Sequence, residues 1–209
     1  MRTLAANGGT GDPAALNAES LAAGHRAIEL DPDSSYAIGA LGSALVFIGQ
    51  ARDAIPYLER AAAIDPTYGP IAATLTMAWV YVGQADEAAT CGERAVELAR
   101  NDPIAGHYSW FALANAELLR GRHDAAETAA RRALALNPAY VWSRVVLADV
   151  LALQGNMPAA QSTLADAAQA FGGPAKLLDI YRSLHLPRFE RASDAVTMTA
   201  GLVAAGFGT

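Results

Sequence analysis

At 209 residues, 53% of them hydrophobic and 17% charged, the chain is long enough for one or two ordinary domains or for one continuous solenoid. A net charge of −6, with the single lysine Lys176 beside fourteen arginines, leaves no basic stripe to grip a phosphate backbone and argues against nucleic-acid binding. The one cysteine, Cys91, excludes an internal disulfide and a cysteine zinc cluster, and reads as a small packed residue of a helix rather than as a reactive thiol.

The first twelve residues, MRTLAANGGTGD, lack the apolar run of a signal peptide, which gives a cytoplasmic address as the expectation. Asn7-Gly8-Gly9-Thr10-Gly11 cannot propagate a helix, and the Gly-Lys-Ser/Thr that a phosphate-binding loop needs does not follow, so 1–12 reads as a flexible segment. Asp12-Pro13 then supplies an N-cap and a proline at the first helical position, predicting a helix over 14–30.

From Ser35 to Thr67 the pattern is that of two short helices, 36–48 and 52–64, folded against each other. Ile38, Leu41 and Leu45 recur at helical spacing and make one apolar stripe. Gly42 and Ala54 are small where two helices of a hairpin must approach closely. Gly49 ends the first helix and Asp65-Pro66 stops the second. One such hairpin cannot bury its stripe alone, so it requires stacked neighbours.

The same phrase returns three times. Ala72, Leu75, Thr76 and Trp79, the turn Gly83-Gln84, and Ala88, Gly92 and Ala95 predict helices over 70–82 and 85–99. Trp110, Leu113 and Ala114, then Gly121, then Ala126, Ala130 and Ala133 predict 104–120 and 123–136. Leu147, Ala148 and Leu151, the turn Gly155-Asn156, and Ala160, Leu164 and Ala167 predict 140–154 and 157–170. The units start at 35, 69, 107 and 141, which is 34, 38 and 34 residues apart; the longer period reads as an extended second helix or a widened loop around Leu98–Pro103. The charge-free run from Pro66 to Ala85 is not a membrane span, because Gly69-Pro70 and Gly83-Gln84 interrupt it short of the ~20 residues required.

After Pro174 the register is lost. A short helix over 175–184, a break at Leu186-Pro187 and a longer amphipathic helix over 189–205 are expected, with Leu177, Ile180, Tyr181, Leu184, Val196 and Leu202 covering the end of the stack. The organisation is therefore 1–12, a repeat array of about four full units and a preceding partial one over 13–173, and a capping region over 174–209.

Ile38, Leu41, Gly42 and Leu45 with Ala54, Leu58, Ala61 and Pro66 fill the W-x2-L-G-x2-Y and A-x3-F…A…P positions of the tetratricopeptide repeat, and over roughly 13–171 the chain resembles that family. The resemblance implies an all-α, right-handed α-solenoid of helical hairpins with a C-terminal capping helix. The order of pieces is also similar to the C-terminal repeat regions of bacterial class III adenylate cyclases and winged-helix regulators. The Asp31-Pro32-Asp33 turn, the LERAAAIDP and RRALALNP phrases and the tail Gly201-Leu202-Val203-Ala204-Ala205-Gly206-Phe207 carry that likeness. The chain has neither a cyclase domain nor a DNA-binding head.

In tetratricopeptide proteins the first helices of the hairpins line a concave groove. Carried onto this chain, that selects Tyr36, Ser43 and Phe47, then Met77 and Tyr81, then Tyr108, Phe111 and Asn115, then Trp142, Val145 and Asp149. Aromatic anchors among a few polar groups suit a protein or peptide ligand. The same side chains would serve equally to pack adjacent repeats or to seat the terminal helix. The lysine and asparagine clamp that some relatives use for a partner's C-terminal carboxylate is replaced by Gly39, Ser43, Ala73 and Met77.

The sequence offers no catalytic set: no Gly-x-Ser-x-Gly, no His-Glu-x-x-His, and His25, His107, His123 and His185 scattered. His25 and Glu29 have i, i+4 spacing, but nothing nearby supplies a third and fourth metal ligand. Asp124, Glu127 and Arg131-Arg132 read as ordinary charged helix faces. The expectation is a non-enzymatic scaffold that binds a protein, a peptide or its own copy, with no cofactor, metal, nucleic acid or membrane. The alternative is a regulatory or oligomerisation region associated with a nucleotide cyclase or transcription regulator.

Overall fold

The computed structural model describes residues 12–208, and the expected flexible segment and its glycine run lie, but for Asp12, outside them. Helices follow one another without a strand among the described residues: α1 Pro13–Leu30, α2 Ser35–Phe47, α3 Ala51–Ile64, α4 Gly69–Tyr81, α5 Ala85–Leu98, α6 Pro103–Leu119, α7 His123–Leu136, α8 Val141–Leu153 and α9 Met157–Ala170. The C-terminal region holds α10 Pro174–Ile180, a π turn over Tyr181–His185, a 3-10 turn over Leu186–Arg188, α11 Ala192–Thr197 and α12 Ala200–Ala204. None of these helices is long and apolar enough to cross a membrane.

Each hairpin closes through the same turn. Gly49, Gly83, Gly121 and Gly155 all have φ between +72° and +87°, where a side chain is strained. The residue after each donates its N–H five positions back, as Gln50 to Leu45 at 2.9 Å and Asn156 to Leu151 at 2.8 Å, which satisfies a carbonyl that the helix end would leave free. Repetition of this turn fixes the hairpin angle four times. Ala54, Ala88, Ala126 and Ala160, and one helical stripe later Ala61, Ala95, Ala133 and Ala167, are all completely buried between the two helices of their hairpins and their neighbours. Gly42 permits a close approach within its hairpin: a Cβ there would stand 2.7 Å from Cγ of Leu58.

The long period is taken up by neither of the two routes expected from the spacing. The link from α5 to α6 has the same four residues as that from α3 to α4 (99–102 and 65–68), and α6 has 17 residues against 13 in α4. Asp102 causes this, because its carboxylate accepts from Ile104 and Ala105 N–H while Pro103 occupies the first turn, starting α6 one turn early.

Consecutive first helices touch (α2 with α4, α4 with α6, α6 with α8), whereas successive second helices meet marginally at most, so the stack curves with the first helices inside. The C-terminal region folds back over this inner face. That is why α4 and α6 are buried nearly all round and why the sequence of α4 carries no charge.

The expected single helix over 189–205 is two short helices instead. Phe189–Arg191 runs extended, α11 ends at Thr197, and Thr199 folds its hydroxyl onto the carbonyls of Ala195 and Val196 before α12 begins. The break has a tertiary cause. Gly201 lies directly against the backbone carbonyl of Asp149, where any Cβ would collide, and Leu202 N–H donates to the Asp149 carboxylate at 2.8 Å. Leu177, Tyr181 and Leu202 are buried as expected of the cap, but Leu184 and Val196 point to solvent; their places are taken by His185, Phe189, Met198 and Phe207.

Candidate functional site: the inner face and its occupant

The residues selected for the groove divide into two groups along the inner face. At the α2 end, Tyr36 and Phe47 are 69% and 42% exposed, and with Gly39, Ser43, Tyr68 and Thr74 they line an open cleft of about 240 Å³ between α2 and α4. The cleft lining carries no charged side chain. Ser43 turns its hydroxyl back to the Gly39 carbonyl at 2.8 Å, leaving the cleft apolar and aromatic-rimmed.

From α4 onward the inner face is covered. Met77, Tyr81, Phe111, Asn115, Val145 and Asp149 are buried, and Tyr108 and Trp142 are half-buried. Packing describes their surroundings: Tyr81, Trp142 and Asp149 meet the terminal region, while Tyr108 and Phe111 pack among the repeats. Tyr81 meets Phe189 edge-on at 5.2 Å and His185 at 5.9 Å. Trp142 stacks on His185 with 5.7 Å between ring centroids and 12° between planes. Phe111 lies between Tyr108 and Tyr140, and Asn115 donates to the Phe111 carbonyl of its own helix at 2.8 Å.

Two ionisable groups are sealed in with these rings. Asp149 and His185 both border an internal cavity of about 10 Å³, shared with Phe111, Asn115, Trp142 and Tyr181. Burial pushes the Asp149 carboxyl up to about 7, opposed by the N–H groups of Leu202 and Gly201. Its second oxygen has no hydrogen-bond partner, so the neutral form is the cheaper one to bury. Burial, with the Arg188 guanidinium adding to it, pushes His185 down to about 3, and the ring stacked on Trp142 is the neutral imidazole.

The edge of the covered zone is polar. Glu190 receives Arg52 through two contacts, Nε to Oε1 at 3.0 Å and Nη2 to Oε2 at 2.7 Å, while its own N–H donates to the Tyr81 carbonyl at 2.8 Å. Arg191 donates to the Gly83 carbonyl and pairs with Asp194 at 2.7 Å, and Arg188 sits 5.7 Å from the centre of the Phe47 ring. Sequence reasoning missed this set. Leu186-Pro187 signalled a chain break, but no periodicity shows that the following Phe-Glu-Arg crosses back to α3 and α4.

Elsewhere, the polar residues do structural work. His25 is exposed and faces Tyr57 of α3, Glu127 pairs with Arg131 at 2.7 Å, and burial raises the Cys91 thiol above its usual range. Among the described residues no three His, Cys, Asp or Glu side chains converge as metal ligands.

Comparison with known proteins agrees with this architecture. Residues 36–68 and 117–178 match models of the tetratricopeptide repeat. No curated protein sequence matches the chain significantly. Among solved structures, pilF of Pseudomonas aeruginosa is similar with a TM-score of 0.65 at 18% identity, covering 90% of this chain and 82% of that one. A thermophilic TPR protein of Thermus thermophilus gives 0.64 at 18% identity, covering 88% and 89%. YrrB, described as a TPR protein with an unusual peptide-binding site, gives 0.55 at 17% identity, covering 88% and 95%. Likeness at such identities speaks for the fold alone. With the repeat model matched over 36–68 and 117–178 in a stack whose turns, small-residue contacts and curvature recur hairpin after hairpin, the chain carries tetratricopeptide repeats in an all-α solenoid.

Proposed function

We propose that the protein is a non-enzymatic scaffold that holds a protein or peptide segment in the open cleft between α2 and α4, with Tyr36, Ser43 and Phe47 as its contact residues. The observation that carries this is the exposure of Tyr36, Phe47 and Tyr68 around an uncharged hollow of about 240 Å³, while equivalent rings further along are covered. Large aromatics left in water at the rim of a concavity are the usual anchors of interfaces. Tetratricopeptide proteins commonly mediate protein–protein interaction, and the peptide-binding site named for YrrB accords with this use of the fold. Met77, Tyr81, Tyr108, Phe111, Asn115, Trp142 and Asp149 belong to the same groove, but a partner reaches them only where the terminal region gives way.

The ligand suited to such a lining is an uncharged, apolar stretch of chain, from another protein or from a second copy. The acidic charge and the scarcity of basic side chains speak against nucleic acid. The test places a photo-crosslinking residue at Tyr36 or Ser43, and at the exposed Glu87 as control, in cells that make the protein. Adducts at the first two positions that vanish with Phe47→Ser support the cleft; equal labelling at Glu87 sinks it.

A narrower reading places such a scaffold in the cytoplasm as the regulatory or oligomerising part of a nucleotide cyclase or transcription regulator. Its support is the order of pieces, including a tail whose Leu202, Ala205 and Phe207 are buried in the fold rather than appended to it. A cyclase or DNA-binding partner among the crosslinked proteins would bear it out, and unrelated partners would dismiss it.

A further inference from the structure

The stretch between Tyr181 and Met198 is built unlike the rest of the terminal region. Of its sixteen residues only His185 and Phe189 are buried, whereas Met198, Gly201, Leu202, Ala205 and Phe207 are all buried within the following ten. What holds Phe189–Arg191 is the equipment of peptide recognition. One aromatic ring stands edge-on to Tyr81, one carboxylate is gripped twice by Arg52, one main-chain N–H reaches the Tyr81 carbonyl and one guanidinium reaches the Gly83 carbonyl. Arg52 has no other acidic partner among the described residues, and it is exposed. The strap also ends on the cleft, because Arg188 covers Phe47, which is a rim residue of the cleft.

We propose that residues 188–191 form a strap that is a displaceable internal ligand, and that the surface beneath them, formed by Tyr81, Gly83 and Arg52, takes an external peptide in which an aromatic residue is followed directly by an acidic one. The aromatic ring replaces Phe189 against Tyr81 and the carboxylate replaces Glu190 on Arg52. The inference rests on the cleft as a binding surface, since it extends that surface past Phe47. A strap tethered at both ends competes at an effective concentration of roughly millimolar. A free peptide of equal strength therefore loses to it, and an effective partner is one that also fills the α2–α4 cleft and gains its hold from both sites.

The probe is a fluorescent peptide of residues 183–196, titrated by anisotropy into the full-length protein and into full-length Phe189→Ala/Glu190→Ala. The expected result is binding about tenfold or more tighter to the double variant. Adding Arg52→Glu to that variant should remove the gain, and a peptide carrying Glu190→Arg should restore it. A well-folded double variant that binds the peptide no better than the parent overturns the proposal, as does indifference to Arg52→Glu. Should Phe189→Ala impair folding, the exposed single variant Arg52→Glu decides by hydrogen exchange. The Glu190 amide should then exchange about tenfold faster with the Leu202 amide unchanged; no change at Glu190, or equal acceleration of both, refutes a separable strap. Peptide exchange without crosslinks at Tyr36 and Ser43 would dismiss the cleft alone, and the reverse would dismiss the strap alone.

Discussion

Asp149 and His185 border one cavity and shift in opposite directions, which makes a pH prediction with two signs. The carboxyl titrates at about 7 when folded and at ~3.9 when unfolded, so between those values the folded chain alone carries its proton. Its contribution is full below the unfolded value and disappears as pH rises through about 7. The imidazole titrates at about 3 when folded and at ~6.5 when unfolded, so below the latter the unfolded chain alone is protonated. Its contribution is full above the unfolded value and disappears as pH falls. Each slope is at most ~1.4 kcal/mol per pH unit, and between about pH 4 and 6.5 the two oppose each other. Denaturant midpoints of Asp149→Asn should therefore fall on acidification through that range, while those of His185→Phe should rise. Parallel slopes in the two variants would contradict the assigned burial. Truncation of the rings tests the division of the inner face in the same way: Phe111→Ala should cost about 3–5 kcal/mol, comparable to the core control Leu113→Ala, and Tyr36→Ala under about 0.5 kcal/mol. A small loss at Phe111 would return it to the exposed surface.

At the scale of elements, the turns show what a local pattern can and cannot specify. Gly83 and Gly121 occupy the same turn position with φ of +77° and +72°, so alanine at either carries the same left-handed penalty of about 1–2 kcal/mol. Gly121 has open space around it, but a side chain at Gly83 would run into Arg191 and Asp194. Gly83→Ala should consequently lose more stability than Gly121→Ala in a urea series, and the excess should disappear in an Arg191→Ala/Asp194→Ala background; equal losses would detach the strap from that turn. The four turns were legible because the apolar stripe, the glycine and the proline stop all lie within one hairpin, and the helices of α2 to α9 follow from them. The early start of α6 has an equally local cause in Asp102-Pro103, which the period presented as the exit of the preceding hairpin. The break inside 189–205 was not, since it depends on Asp149, 53 residues earlier in the chain than the Leu202 amide it receives. For the same reason the groove residues could be chosen from the repeat register, yet which of them face water depends on where a non-repeating segment comes to rest.

For the whole molecule, a solenoid distributes its stability over neighbouring hairpins, so losing an end should propagate inward and fade with distance. Deleting 174–209 removes two covers at once. It strips Leu177 and α10 from the exposed end of α9, and it strips α12 from α8 and the strap and His185 from Tyr81 and Trp142. The uncovered surface is a continuous run of buried aromatic and aliphatic side chains from α4 to α8, large enough to drive association. The shortened chain should aggregate, or remain soluble with amide protection lost through α8 and α9, reduced in α6, and kept in the α2–α3 hairpin. That hairpin loses the contacts of Arg188 with Phe47 and of Glu190 with Arg52, and the Pro187-Arg188 backbone beside Gly49, all at its turn end. Hydrogen exchange resolved by segment, with light scattering beside it, reads both outcomes. Uniform loss across all hairpins would mean one cooperative unit rather than a stack. An unchanged melt in a monomeric shortened chain would mean that the terminal region is a passenger on a complete fold, with the inner face free for a ligand along its whole length.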